Sequence, residues 1–340
     1  MLMKVNARAL DASESSRGPR SPLQRAAIGL LVAGAVCLPL LGSDYQVRFV
    51  AEVVITGIAI MSLDILIGYG GLVSLGHASL FGGAAYAAAL VAYHVSADLA
   101  IVLLTGIVTG MAVAALVGVV VVRTDNLFFL ILTLVTTQMV WELIFRSREL
   151  TGGADGLRGI PPLRLHLGFA VWELSGATGL YVVAALLAVG CFLVAKAFIA
   201  APIGRALVGA REQPLRMTAL GYSIPKIRLI ALVVAGGIAG AAGSIYPFIN
   251  LYIGPSSVHW TLSAMMLIAL VIGGVRSLYG AFIGSAIYLS FQTYASSYTD
   301  RWQLVVGLVF VLTVILMPHG VAHALQRLSG RFMTKNGGPS

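Results

Sequence analysis

The stretch "GYGGLVSLGHASLFGGAAYAAAL", Gly68–Leu90, holds six glycines, two serines and a histidine, and it is flanked by long apolar runs. Glycine costs a helix interior about 1 kcal/mol relative to alanine. Gly68, Gly70, Gly71 and Gly76 therefore disfavour one straight helix. They predict a broken or re-entrant element over 68–79. Non-helical backbone at membrane depth is tolerated only where protein or a water-filled cavity surrounds it. In transporters such breaks present half-helix ends and free backbone groups to polar cargo. Gly70, Gly71, Ser74, His77 and Ser79 are thus candidates for a translocation path, with Asp64 close by. The same residues also suit packing alone, with His77 bonded to a neighbouring helix and Gly82, Gly83, Ala84 and Ala85 admitting a close neighbour.

Composition places this stretch in a membrane. The chain has 340 residues, 59% hydrophobic and 10% charged, with a mean hydropathy of +0.94. Soluble domains carry about 25% charged residues, so no aqueous fold could cover this much apolar surface. Runs of about 20 apolar residues span a bilayer as helices. They occur over 28–42, 49–67, 72–94, 99–122, 126–145, 179–199, 228–250, 262–275, 278–295 and 302–317. The fold class is an all-α polytopic membrane protein of about ten spans, eight or nine if 262–275 and 278–295 form a half-helix hairpin. The runs lack the apolar/polar alternation of membrane barrel strands. Cys37 and Cys191 both lie in apolar runs and read as small core residues.

Charge sets the orientation. With the N-terminus inside and ten crossings, Arg48, Arg146, Arg148, Arg158, Arg164 and Arg301 fall outside, six of 22 Lys and Arg, leaving 22 − 6 = 16 inside. That bias follows the positive-inside rule and favours an N-in, C-in topology. The net charge of +9 is accordingly an orientation signal. Its spread over several loops excludes nucleic-acid binding. Residues 1–25 and 319–340 read as flexible cytoplasmic tails around a membrane domain over 26–318, and no cleavage pattern marks a signal peptide. The basic but longer loop 146–178 reads as a structured external segment.

The inner loop over 201–227 is different in kind. "GRALVGAREQPLRMTAL", Gly204–Leu220, reads as an amphipathic helix pair or a helix with a break, closed by Gly221. Such a crosswise helix fits a groove on another protein or lies on the membrane surface.

Four segments in order carry a resemblance to a known family. They are the opening stretch; "LTGGADGLRGIP", Leu150–Pro161; the loop "GRALVGAREQPLRMTALGYSIPKIRLIAL"; and "IGGVRSLYGAFIGSAI", Ile272–Ile287. Together they resemble the LivM-type membrane subunit of branched-chain amino-acid ABC importers, over most of residues 45–320. The resemblance implies a permease subunit in a bacterial inner membrane that moves a small polar solute, branched-chain amino acids first. A periplasmic binding protein would deliver the solute. A second, LivH-like permease subunit would complete the path. Two cytoplasmic ATPase subunits, holding ATP and Mg, would dock on Gly204, Arg205, Arg211, Glu212, Ala219, Leu220 and Gly221. Arg276 stands where the family usually has glycine, and Ala281 where it usually has proline. Relatives importing urea, amides or aromatic acids keep the substrate open.

The residues allow two rival classes. Asp64, Glu52 and Glu142 could couple an ion-driven secondary transporter, since intramembrane carboxylates are costly and suggest function. Asp64 also suits a bond to the glycine break, and Glu142 a pair with Arg146 at i+4. Ser74 or Ser79 with His77 could form a hydrolase, although nothing in the sequence supplies an oxyanion site. No Gly-x-x-x-x-Gly-Lys-Ser/Thr phosphate loop is present. The expectation is a non-enzyme with no cofactor or metal of its own.

Overall fold

The computed structural model describes residues 42–124, 126–166, 171–174 and 176–299, with 301, 303–304, 307–308 and 311 beyond them. The run expected over 28–42, Cys37 and both tails lie outside the described residues, and the run over 302–317 is described only in part.

Helix α1, Asp44–Asp64, starts where the Gln46 side chain accepts the Ser43 amide at 3.0 Å, one half of a capping box. It runs on through a π-helical turn, Ile65–Tyr69. Helix α2 is His77–His94, α3 is Leu99–Val121 and α4 is Asn126–Arg146. The Asp98 carboxylate caps α3 by accepting the Ala100 amide at 2.8 Å. After a single turn, α5 (Arg148–Thr151), come strands β1 (Leu157–Arg158), β2 (Arg164–His166) and β3 (Val171–Glu173). Helix α6, Ala177–Ala200, leads into α7 (Pro202–Glu212), α8 (Pro214–Ala219) and α9 (Ile224–Asn250). Prolines in the first turns of these last three helices suit positions whose amides need no helical acceptor. Strand β4 (Tyr252–Ile253), α10 (Trp260–Gly273) and α11 (Gly280–Tyr298) complete the described chain.

Among the described residues, five helices are long and apolar enough to cross a membrane on their own: Asp44–Tyr69, Leu99–Val121, Leu127–Arg146, Ala177–Ala200 and Ile224–Asn250. The others are shorter or less apolar, so this criterion alone yields five rather than the expected ten. The run read as 72–94 is helical only from His77, because the glycine segment before it leaves helical geometry. Helix α10 has 14 residues, about 21 Å of rise, short of a hydrocarbon core of about 30 Å. It folds back on α11 through a turn over 274–279.

Burial separates centre from rim. In α1 and α9, 67% and 72% of the apolar window is buried, against 17–28% in α3, α4 and α6, and most of α2 is buried as well, so α1, α2 and α9 form the core. Outer faces carry apolar stripes at helical spacing, Leu127, Ile131, Val135, Met139 and Leu143 on α4 and Val182, Leu186, Val189 and Leu193 on α6, as a lipid-facing surface requires. Helices α3 and α9 approach through paired small residues. A methyl on Gly110 would overlap the Gly236 carbonyl, and one on Gly240 the Gly106 carbonyl. Each helix thus bears a Gly-x-x-x-Gly face.

The connections sort by end. Arg276, Arg211, Arg228 and the 70–72 segment gather at one end of the bundle. The other end holds residues 93–98, 148–166 and 249–254. There β1 pairs with β4, β2 pairs with β3, and the Arg164 amide donates to the Ala97 carbonyl at 2.8 Å. The described residues of 146–178 thus include these two strand pairings. Arg158 lies 5.6 Å from the Tyr252 ring, and Arg164 pairs with Glu173 at 3.3 Å.

Candidate functional site

The glycine segment is held by its neighbours. Past the π turn, the amides of Gly70, Gly71 and Leu72 donate to Ile65, Ile67 and Leu66. Gly71 then takes φ +69°, a left-handed conformation that glycine adopts freely. Residues 72–76 have no regular structure, so side chains serve their backbone. Thr133 on α4 accepts the Leu75 amide at 3.2 Å, and Thr137 donates to the Leu75 carbonyl at 3.1 Å. The Ser74 hydroxyl accepts the Gly76 amide at 3.1 Å. Ser263 on α10 accepts the Ala78 amide at 2.8 Å, satisfying one free donor of the α2 N-terminus.

The polar residues singled out from the sequence are inside the chain. Asp64, Ser74, His77 and Ser79 are all at most 1% exposed. Ser79 donates back to the Gly76 carbonyl at 2.6 Å. His77 Nε2 lies 3.1 Å from the Ser62 hydroxyl. That hydroxyl already donates to the Ala59 carbonyl, so Nε2 is the donor and Nδ1 the bare nitrogen. Ser and His do not meet as nucleophile and base. Gly70 and Gly71 are placed differently. They line a cavity of about 750 Å³ together with Arg123, Arg211, Tyr222 and Arg228.

Asp64 ends α1 and holds a turn 212 residues away. Its Oδ1 accepts the Arg276 amide at 2.8 Å, and the Tyr69 hydroxyl donates to the Arg276 carbonyl at 3.3 Å. Arg276 takes φ +65°, which explains why glycine suits this position better. Gly68 lies between them: a methyl there would overlap both Asp64 Oδ1 and the Arg276 nitrogen.

The inner loop forms the helix pair α7 and α8, and Gly221 at φ +84° ends it. The Tyr222 amide donates to the Met217 carbonyl and the Gly221 amide to Thr218, which closes the helix C-terminus. Gly204, Ala206, Leu207 and Ala210 are buried against the bundle. Arg211 Nη1 donates to the Gly68 carbonyl, and its stem lies beside Gly71. Arg205, Glu212, Ala219 and Leu220 face outward. Leu215 and Leu220 are 87% and 67% exposed, the most exposed of the large apolar side chains on this loop, with Ile203 and Tyr222 exposed to a lesser degree. Leu215 was not apparent from sequence. A leucine three residues after Glu212 looks like any core position until the helix axis is known.

Glu142 and Arg146 pair at 2.5 Å on the surface, an arrangement that contributes little. Glu52 faces a cavity of about 320 Å³ between α1, α2, α9, α10 and α11. Gln292 and Thr293 on its α11 wall were missed by sequence reading. The signal for Gln292 is the spacing Tyr288–Gln292–Ser296, a polar stripe that starts inside the run read as a span over 278–295 and ends just past it. Among the described residues no cluster of His, Cys, Asp or Glu could hold a metal ion.

Residues 45–314 match the model of the family described as branched-chain amino acid transport system / permease component. The chain is 27% identical over 311 residues to the high-affinity branched-chain amino acid transport system permease protein LivM of Salmonella typhimurium strain LT2, covering 86% of this chain and 73% of that protein. The LivM protein of Escherichia coli K12 is 26% identical over 313 residues, with the same coverage. A probable LivH permease protein of Methanocaldococcus jannaschii is 24% identical over 127 residues, 35% of this chain and 40% of that protein. No solved structure matches the chain.

Proposed function

This chain belongs to the branched-chain amino acid transport permease family, and we propose that it is one of two membrane subunits of an ATP-driven importer in a bacterial inner membrane. Its relatives are permeases of transport systems rather than enzymes, and ATP with Mg is bound and hydrolysed on two separate cytoplasmic subunits. A periplasmic binding protein delivers the solute, and a LivH-like subunit completes the path. The solute is a branched-chain amino acid. The topology is N-in and C-in with ten spans, which makes the end bearing Arg211 and Arg276 cytoplasmic.

The observation that carries this reading is the α7–α8 pair. Helix α7 is buried on one side against the bundle and is tied by Arg211 to the π-helical turn after α1, while α8 lies outside with Leu215 exposed on it and Leu220 exposed just after it. A motor docked on that outer face moves α7, and α7 moves the segment over 68–76. The path runs beside this segment, with Gly70 and Gly71 on its inner cavity. Asp64, Ser74, His77 and Ser79 hold the segment's shape.

Gentle purification from the native membrane, with mass spectrometry of whatever co-purifies and leucine uptake into proteoliposomes, tests the reading. Co-purifying ATPase subunits and ATP-dependent leucine uptake are expected. Uptake by the lone chain without ATP would move the assignment to an ion-coupled carrier. ATP-dependent uptake of urea, amides or aromatic acids in place of leucine would keep the architecture and change the cargo.

A further inference from the structure

Beside α1, between Phe49 and Ile60, an open cavity of about 320 Å³ is bordered by five helices and falls in the size range of small-ligand sites. Its walls are mixed: Phe81, Leu262, Met265 and Met266 form an apolar side, and Thr56, Tyr246, Tyr288 and Ser296 bring hydroxyls to it. Into this surface α1 projects the carboxylate of Glu52. Glu52 lies eight residues along α1 from Asp44, about 12 Å of rise. A carboxylate at that depth is costly unless it has a partner or a function. Among the described residues none hydrogen-bonds or ion-pairs with Glu52. The nearest cation in sequence, Arg48 one turn earlier, instead donates to the Ile249 carbonyl at 3.0 Å. No Lys, Arg or His lines the cavity. The described side chains that line it from α2, α9, α10 and α11 bear no charge, so Glu52 is the single charge there.

One carboxylate in a chamber that holds no cation and has an apolar side recognises a particular chemistry: a primary ammonium carried on an apolar body. Gln292 and Thr293, on the α11 wall, add amide and hydroxyl donors. A zwitterion could place its carboxylate on these while its ammonium meets Glu52. We propose that this cavity binds the transported amino acid within the membrane domain, with Glu52 pairing the α-ammonium and the apolar side taking the branched side chain. The proposal rests on the permease reading above and adds a site on this chain to it.

The test uses the chain with its co-purifying partners in lipid nanodiscs. Binding of three probes is measured: L-leucine, 3-methylbutan-1-amine, which lacks the carboxylate, and 4-methylpentanoate, which lacks the ammonium. The intact protein is expected to bind the first two and not the third. Glu52→Gln is expected to weaken binding of both amines by about tenfold or more, and Glu52→Asp to retain part of it. ATP-dependent leucine uptake should fall in parallel. Glu52→Gln protein that binds leucine with unchanged affinity and imports it normally would overturn the site and leave the permease reading standing. An intact complex that imports another solute and ignores leucine would overturn both the cargo assignment and the site. If Glu52→Gln fails to fold, Met265→Trp fills the same chamber. Loss of leucine binding is then expected, and normal uptake by that variant would remove the proposal.

Discussion

Arg211 on α7 donates a hydrogen bond to the carbonyl of Gly68 in the π-helical turn that continues α1. A helix C-terminus offers unpaired carbonyls and a partial negative charge, so a guanidinium there is well placed. The contact joins a loop at the bundle's end to the core helix. Arg211→Ala removes the joint without touching the outer face of α7. Partner subunits should still co-purify, while solute-dependent ATPase stimulation and uptake fall by about tenfold, the equivalent of roughly 1.4 kcal/mol of lost coupling. Parallel ATPase and uptake assays on one preparation check this. Unchanged uptake would mean that the joint only packs.

Asp64 separates the importer from an ion-coupled carrier. Its observed work is to accept the Arg276 amide, which an asparagine carbonyl does equally well. Asp64→Asn should therefore keep uptake within about threefold and unfold at nearly the same temperature. Asp64→Ala leaves a buried amide unpaired and should cost about 1–3 kcal/mol. If Asp64→Asn abolishes uptake while the protein stays folded, the carboxylate carries a charge-dependent role.

Leu215 and Leu220 give the docking surface its apolar contact. Exposed positions change stability by less than about 0.5 kcal/mol when substituted. Leu215→Asp with Leu220→Asp should give a chain with normal abundance and melting temperature that retains far less ATPase subunit on an affinity column. Full retention would move the docking surface elsewhere.

Two adjacent glycines in α2 should behave in opposite ways. A methyl on Gly82 would overlap the Ser257 carbonyl, whereas nothing lies within 4 Å of one on Gly83. Gly82→Ala is expected to cost about 1–3 kcal/mol through overpacking. Gly83→Ala should stabilise by about 0.5–1 kcal/mol, the ordinary helix gain. Thermal denaturation of the two variants in detergent checks the pair.

The helices were legible because long apolar runs have one solution in a bilayer, and the break over 68–76 because four glycines in nine residues disfavour any continuous helix. The α7–α8 pair followed from small residues interrupted by charge, and Gly221 from its terminal position. Other features depended on tertiary partners that no local pattern reveals. The hydroxyls of Thr133, Thr137 and Ser263 look like ordinary helical residues until Leu75 and Ala78 are seen beside them. Ser74 and His77 were legible as polar residues at depth, but their partners, the Gly76 amide and the Ser62 hydroxyl, were not. Glu52 was visible as an intramembrane carboxylate, but its cavity needed five helices to define it.

The segment over 72–76 also bears on how quickly the protein can rearrange. A helix resists bending because every turn must break its own ladder, whereas this joint is pinned by a few hydroxyl contacts, from Thr133 and Thr137 on α4 and from its own Ser74. Exchanging such contacts is a side-chain event. A tilt of α2 about this joint would exchange side-chain contacts without unwinding the helix, which belongs to the microsecond-to-millisecond scale of hinge motions rather than to helix melting and refolding.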